Sequence, residues 1–205
     1  MRPPAMALFQ FTPMESTAPK AVVHSDADES QWLSRHLAGD PTAFESLVHA
    51  YKKPIYGFLA RCPISAAERD DLFQEIFLKI HRSAHQYDPQ RPLKPWIFTI
   101  VANTARTYLA RRKTAEPIPE SLEDGRPSSE QVAETRDQKH RLNLLLKKLP
   151  DPQRWVLLLH CCEDITLPDV AETLNMPLGT VKTHLRRGRL ALVQIWQRAT
   201  LGGQS

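Results

Sequence analysis

Between Pro177 and Leu192 the sequence reads PLGTVKTHLRRGRLAL, a run that sets Lys182, Arg186, Arg187 and Arg189, with His184 as a fifth candidate, around a regular apolar repeat. Cations at this density suit a polyanionic partner. On a helix, Leu178, Val181, Leu185, Gly188 and Leu192 line one side, while Lys182, Thr183, Arg186 and Arg187 point the other way with His184 and Arg189 flanking them. Lysine and arginine donors match phosphate oxygens and the O6 and N7 acceptors of guanine. Thr180, beside the free amides at the helix start, is suited to a phosphate oxygen.

The other residue types capable of chemistry are poorly arranged for it. Cys62, Cys161 and Cys162 are odd in number and lack C-x-x-C spacing, and an adjacent pair cannot easily fill two tetrahedral ligand positions. They read as reduced thiols. His81 and His85 have the i, i+4 spacing of some zinc sites, but no Glu follows His81 and no third ligand is evident. The seven glycines are scattered without a phosphate-cradling loop, and no carboxylate arrangement supports a hydrolase. No catalytic residue, metal or cofactor is expected.

The elements that must position the basic run are helical. "LPDVAETL" repeats apolar residues at Leu167, Val170, Ala171 and Leu174 behind Thr166 as N-cap, and the short turn "NMPLG" leads into the basic helix. A short helix, a tight turn and a second helix that is basic outside and apolar inside form a helix-turn-helix pattern. Gly188 is expected to let the first helix of the pair approach closely. Upstream, "RLNLLLKKLP" places Leu142, Leu145, Leu146 and Leu149 on one face, and "DPQRWVLLLHCC" opens on an Asp-Pro start signal.

The N-terminal half is helical as well. Trp32, Leu33 and Leu37 begin the period, a "GDP" break follows, and Asp40 with Pro41 starts a helix carrying Phe44, Leu47, Val48 and Tyr51. In "RDDLFQEIFLKIHR", Leu72, Phe73, Ile76, Phe77 and Ile80 fall within an arc of about 140°, one broad buried face. Asp71, Gln74, Glu75 and Leu78 share the opposite face, which is either solvated with a single stray leucine or a partner contact. The loop "HQYDPQRPLK" leads to a helix from Trp96, "WIFTIVANTARTYLARRK", whose polar face holds Thr99, Asn103 and Arg106. Tyr87 and Trp96 bracket the loop, as buried aromatics or as platforms for unpaired bases.

Chain length bounds the organisation: 205 residues suffice for one ordinary core or two small ones. A net charge of +4 and a pI near 9.0 are unevenly spread, with basic clusters at 106–113 and 182–198. Residues 1–28 read as a mobile tail in which Met6 or Met14 is an alternative start; "AMALFQF" there is broken by Pro13 and Glu15 and is neither signal peptide nor membrane span. A cytoplasmic protein is expected. Residues 114–135 carry three prolines and six acids against Arg126, a linker that when extended spans roughly 70 Å. The expected fold is all-α, two small helical domains at 29–113 and 136–199 joined by this flexible acidic linker, with a tail at 200–205.

Three segments together, "DDLFQEIFLKIHRS", "YDPQRPLKPWIFTIVANTARTYL" and "LPDVAETLNMPLGTVKTHLRRGRLAL", resemble the extracytoplasmic-function (ECF) group of bacterial RNA polymerase sigma factors, over most of residues 30 to 196. The resemblance implies a sigma2-like bundle and a sigma4-like helix-turn-helix. It implies that Asp71, Gln74, Glu75 and Leu78 dock on the clamp helices of the polymerase β′ subunit and that the C-terminal domain meets the β flap. It further implies that Tyr87, Asp88, Lys94, Trp96, Asn103 and Arg106 handle the −10 element, where a base is flipped from the strand. Thr180, Lys182, Thr183, His184, Arg186, Arg187 and Arg189 would read the −35 element, and the linker would thread the RNA exit channel. Many members of the family are held by an anti-sigma protein. The sequence departs from the family at Thr107, where an acid is common, at Ala110, where arginine is common, and in "RRGRL", where an arginine-alanine-arginine run is more frequent.

Overall fold

The computed structural model describes residues 26–114 and 141–201, all helices and short connections. The expected linker and the C-terminal tail lie almost wholly outside the described residues, and the expected N-terminal tail does so up to Asp26, where the first helix begins a little earlier than the apolar period suggests.

Helix α1 (Asp26–Leu37) turns at Gly39, whose φ of +94° only glycine adopts readily, into α2 (Pro41–Ala60). Asp40 makes this corner. Its carboxylate accepts from the Thr42 amide at 2.9 Å and the Thr42 hydroxyl at 2.7 Å, and it pairs with Arg35 of α1 at 2.6 Å. These donors hold the Asp40 carboxyl down at about 2, the Thr42 hydroxyl first among them. Helix α3 (Ala66–Ser83) opens on a capping box in which the Glu68 carboxylate accepts from the Ser65 amide while the Ser65 hydroxyl faces the Glu68 amide. It buries Leu72, Ile76, Phe77 and Ile80, as the 3.6 period requires.

A single 3₁₀ turn (Ala84–Gln86) and the proline-rich loop lead to α4 (Leu93–Thr114). This helix starts three residues before Trp96. Pro95 is no obstacle because the amide it lacks lies in the first turn, where it would have no helical partner. Ile97, Phe98, Val101, Ala102, Ala105 and Leu109 are buried against α2 and α3.

The second half begins with α5, helical over 141–147, and α6 (Asp151–Leu157), which runs on through a π-helical turn (Leu158–Cys162). The two helices are tied by Arg154, a guanidinium only 2 % exposed. It donates to the carbonyls of Lys147 and Leu149, pairs with the Asp151 carboxylate and lies over the Trp155 ring. Helix α7 (Leu167–Leu174) is capped by Thr166 and ends at Asn175 in the left-handed region, which swings the chain into α8 (Leu178–Leu201).

The two halves do not stand apart. The buried residues of both form one continuous apolar cluster, with the Phe58 ring of α2 stacked at 6.0 Å on Trp155 of α6. Helix α7 packs on α4, where the Thr99 hydroxyl donates to the Pro95 carbonyl and receives the Thr173 hydroxyl at 2.8 Å.

Candidate nucleic-acid interface

Helix α8 is set by what it buries. Val181 and Leu185 are in the core, and Gly188 is inside it too: a Cβ there would lie 2.8 Å from Cδ1 of Leu157 and 3.3 Å from Cβ of Gln153. The close approach is therefore to α6 and not, as the sequence suggests, to the first helix of the helix-turn-helix pair; α6 lies outside the motif, and nothing local in the sequence marks it as the neighbour. Leu178, expected on the apolar side, is 38 % exposed because it is the first residue of the helix and overhangs the turn.

With that side fixed, Lys182, Arg186, Arg187 and Thr180 are exposed, and none of the three cations is ion-paired among the described residues. Unneutralised cations in one row are what a phosphate backbone attracts. Thr183 is half-buried and its hydroxyl donates to the Gly179 carbonyl, so it is committed to the helix. His184 packs inward, its Nδ1 buried without a partner among the described residues. Arg189 reaches back so that one guanidinium nitrogen lies 3.8 Å from Sγ of Cys161. Burial pushes the Cys162 and Cys62 thiols up to about 11 and about 12, which leaves both as unreactive thiols.

The second set of residues gathers at the loop before α4. Tyr87 is buried, its hydroxyl donating to the Arg91 carbonyl at 2.6 Å and its ring tilted against Trp96 at 5.3 Å. Asp88 accepts from the Gln90 amide, which tightens the turn. A cavity of about 160 Å³ opens here, lined by Tyr87, Arg91, Trp96, Thr99, Glu172 and Thr173. Farther along α4, Asn103 is exposed and Arg106 half-buried.

Sequence reasoning missed the acids that face this loop. Arg91 donates from both terminal nitrogens to the two carboxylate oxygens of Glu172 on α7, at 3.0 and 2.6 Å. The guanidinium holds the Glu172 carboxyl below the usual carboxylate range. Lys94 lies 3.8 Å from Glu163, whose side chain is 6 % exposed. Burial pushes the Glu163 carboxyl up to about 7, against the opposing pull of Lys94 and Arg61. Glu172 sits on the polar face of α7 and so carries no local signal, and its partner is 81 positions away.

The third set lies on α3. Asp71, Gln74, Glu75 and Leu78 are all exposed on one face, Leu78 by 54 %, and Glu75 pairs with Lys79 at 2.7 Å. His81 bonds His36 of α1 at 2.9 Å across the Phe44 ring, so its partner is a second helix and not His85.

Comparison with known proteins bears on all three surfaces. Residues 47–115 match the family described as Sigma-70 region 2, and residues 139–192 match Sigma-70, region 4. The chain is 29% identical over 168 residues to the ECF RNA polymerase sigma factor RpoE of Cereibacter sphaeroides, covering 78% of this chain and 92% of that one. It is 28% identical to the ECF sigma factor SigW of Bacillus subtilis, over 75% and 89% of the two chains. Among solved structures it is similar in fold to CnrH bound to the cytosolic domain of CnrY, with a TM-score of 0.63 at 22% identity, covering 87% of this chain and 99% of that one. It is also similar to RpoE of Bartonella quintana bound to the anti-sigma factor NepR, with a TM-score of 0.58 at 18% identity over 75% and 95%.

Proposed function

The chain belongs to the ECF group of the sigma-70 family of RNA polymerase sigma factors, and from that premise we propose how its three surfaces divide the work. As a sigma factor it lends RNA polymerase promoter recognition and performs no chemistry of its own. Residues 29–113 form the unit for core polymerase and the −10 element, and residues 136–199 the unit for the −35 element.

Helix α8 lies in the major groove of the −35 element. Lys182, Arg186 and Arg187 supply phosphate and base-edge donors there, and Thr180 caps a phosphate at the helix start. Arg189, His184 and Thr183 contribute through the packing that orients the row. The observation that carries this reading is the row of exposed, unpaired cations on a helix whose opposite side is locked by Val181, Leu185 and Gly188.

The loop cavity receives the base flipped from the −10 strand. Tyr87 and Asp88 shape the loop, Trp96 offers the stacking face, and Lys94, Asn103 and Arg106 follow the strand along α4. Leu78, ringed by Asp71, Gln74 and Glu75, docks on the β′ clamp helices. The C-terminal unit meets the β flap. Residues 114–135 thread the RNA exit channel, where their acids stand in for a transcript. The factor works in the cytoplasm with the polymerase; among the described residues no helix is long and apolar enough to cross a membrane. An anti-sigma protein is a partner suited to it, as CnrH and the Bartonella RpoE are each solved in complex with another protein.

Run-off transcription with purified core polymerase and a promoter library tests the whole reading. Defined transcripts that depend on the chain are expected. Duplex binding by the C-terminal half with no initiation on any template would overturn it in favour of a stand-alone helix-turn-helix regulator.

A further inference from the structure

We propose that Arg91 is a ligand for a phosphate of the opened promoter strand and that Glu172 occupies its place in the free chain, so that promoter strand and α7 compete for one guanidinium. This rests on the reading of residues 87–106 as the −10 surface. Arg91 is not among the residues that the sequence nominated for that surface.

The geometry is that of a fork on an oxyanion. Both terminal nitrogens of Arg91 meet both oxygens of Glu172, at 3.0 and 2.6 Å, which is the arrangement a guanidinium uses on two phosphate oxygens. The neighbourhood repeats the theme. Asp169, one turn before Glu172, lines the same cavity and raises the Arg91 guanidinium further in the direction Glu172 sets. Lys94, at the other end of the loop, faces Glu163. Arg91 on the cavity and Lys94 beyond it thus both face carboxylates from the C-terminal half, where a bound strand would place phosphates.

Space leads to the same conclusion as charge. Glu172 and Thr173 form one wall of the 160 Å³ cavity, and the Thr173 hydroxyl engages Thr99 on its floor. A strand with its phosphate on Arg91 requires the Glu172 side chain to swing aside. The magnitude of the contact fits a displaceable latch. The side chains of Arg91 and Glu172 are 57% and 64% exposed, and ion pairs so open to solvent hold weakly. A strand presents successive phosphates and gains counterion release, so it outcompetes a single carboxylate.

The test uses the full chain with K182A, R186A and R187A substituted to silence α8, and fluorescence anisotropy with a fluorescein-labelled pool of random single-stranded DNA of about 20 nucleotides, long enough to span the surface. E172Q should tighten binding several-fold, whereas E45Q, which removes an equal charge from an exposed position on α2, should not. R91A should weaken binding several-fold, R91K should recover part of it, and E172Q added to R91A should give no gain. Thermal melting of each variant confirms that it is folded. An E172Q gain that survives in R91A, or that E45Q reproduces, overturns the competition. If W96A and N103A weaken binding but R91A does not, this proposal fails and the −10 reading stands; if none of the three matters, the −10 reading itself fails.

Discussion

Replacing Glu163 by Gln should stabilise the protein at neutral and alkaline pH and leave it little changed in acid. The carboxyl titrates near 7 in the folded chain against 4.5 for a free glutamate, because burial penalises its charge. Lys94 compensates poorly, being 3.8 Å away and itself 40% exposed. The folded state therefore binds a proton more tightly than the unfolded chain. Between pH 4.5 and about 7 the folded form carries the extra proton, so stability falls as pH rises through that window and is level on either side. Once the group is ionised, the penalty is about 3 kcal/mol. Glutamine keeps the shape of the neutral acid and removes the titration. Urea denaturation of both proteins at pH 5, 6, 7 and 8 measures the effect, and taking the difference between them cancels every other ionisation that the two proteins share. The advantage of E163Q should grow with each step and approach about 3 kcal/mol at pH 8. A difference independent of pH, or a variant less stable than the wild type at pH 8, would refute the reasoning.

Four further outcomes are expected. Binding to promoter duplex should weaken steeply with salt, with log K falling against log salt at a slope of about −4, and K182A or R186A should cost about 1 to 3 kcal/mol at a base contact; a footprint indifferent to either substitution removes α8 as the reader. G188A should destabilise by about 1 to 2 kcal/mol in urea melts, since overpacking against Leu157 outweighs the better helix propensity of alanine; equal or greater stability would show that the contact yields freely. R154M should cost about 2 to 3 kcal/mol, because it strands the carbonyls of Lys147 and Leu149 and the Asp151 carboxylate; a loss under about 1 kcal/mol contradicts the staple. L78R should abolish association with core polymerase in gel filtration while sparing duplex binding by α8, and retained association would clear that face of a docking role.

What the sequence conveyed was local. The 3.6 period placed α2, α3, α7 and α8 and their buried faces, and the caps at Asp40 and Thr166 are made by the side chains expected to make them. The start of α4 was less legible, because Pro92 and Pro95 look like loop residues although the second is harmless in a first turn. The π-helical turn at Leu158–Cys162 follows an apolar run without a break, in which no period distinguishes one helical register from another. The partner of Gly188 and the pairs Arg91–Glu172 and Lys94–Glu163 join elements remote in sequence, and each residue taken alone reads as an ordinary surface or packing position. The basic face of α8 was visible in advance because it depends on one helix; the acids that meet the loop before α4 were not, because they depend on how two halves pack.

The glycine under α8 has a bearing on aim. Neighbours on a helix are set 100° apart, so any rotation of α8 about its axis would swing the bulk of Arg187 or Arg189 into the slot that a lone hydrogen of Gly188 now fills beside Leu157. The helix has one azimuth at which it fits. The compass bearing of Lys182, Arg186 and Arg187 is thereby inherited from an apolar contact on the far side of the helix.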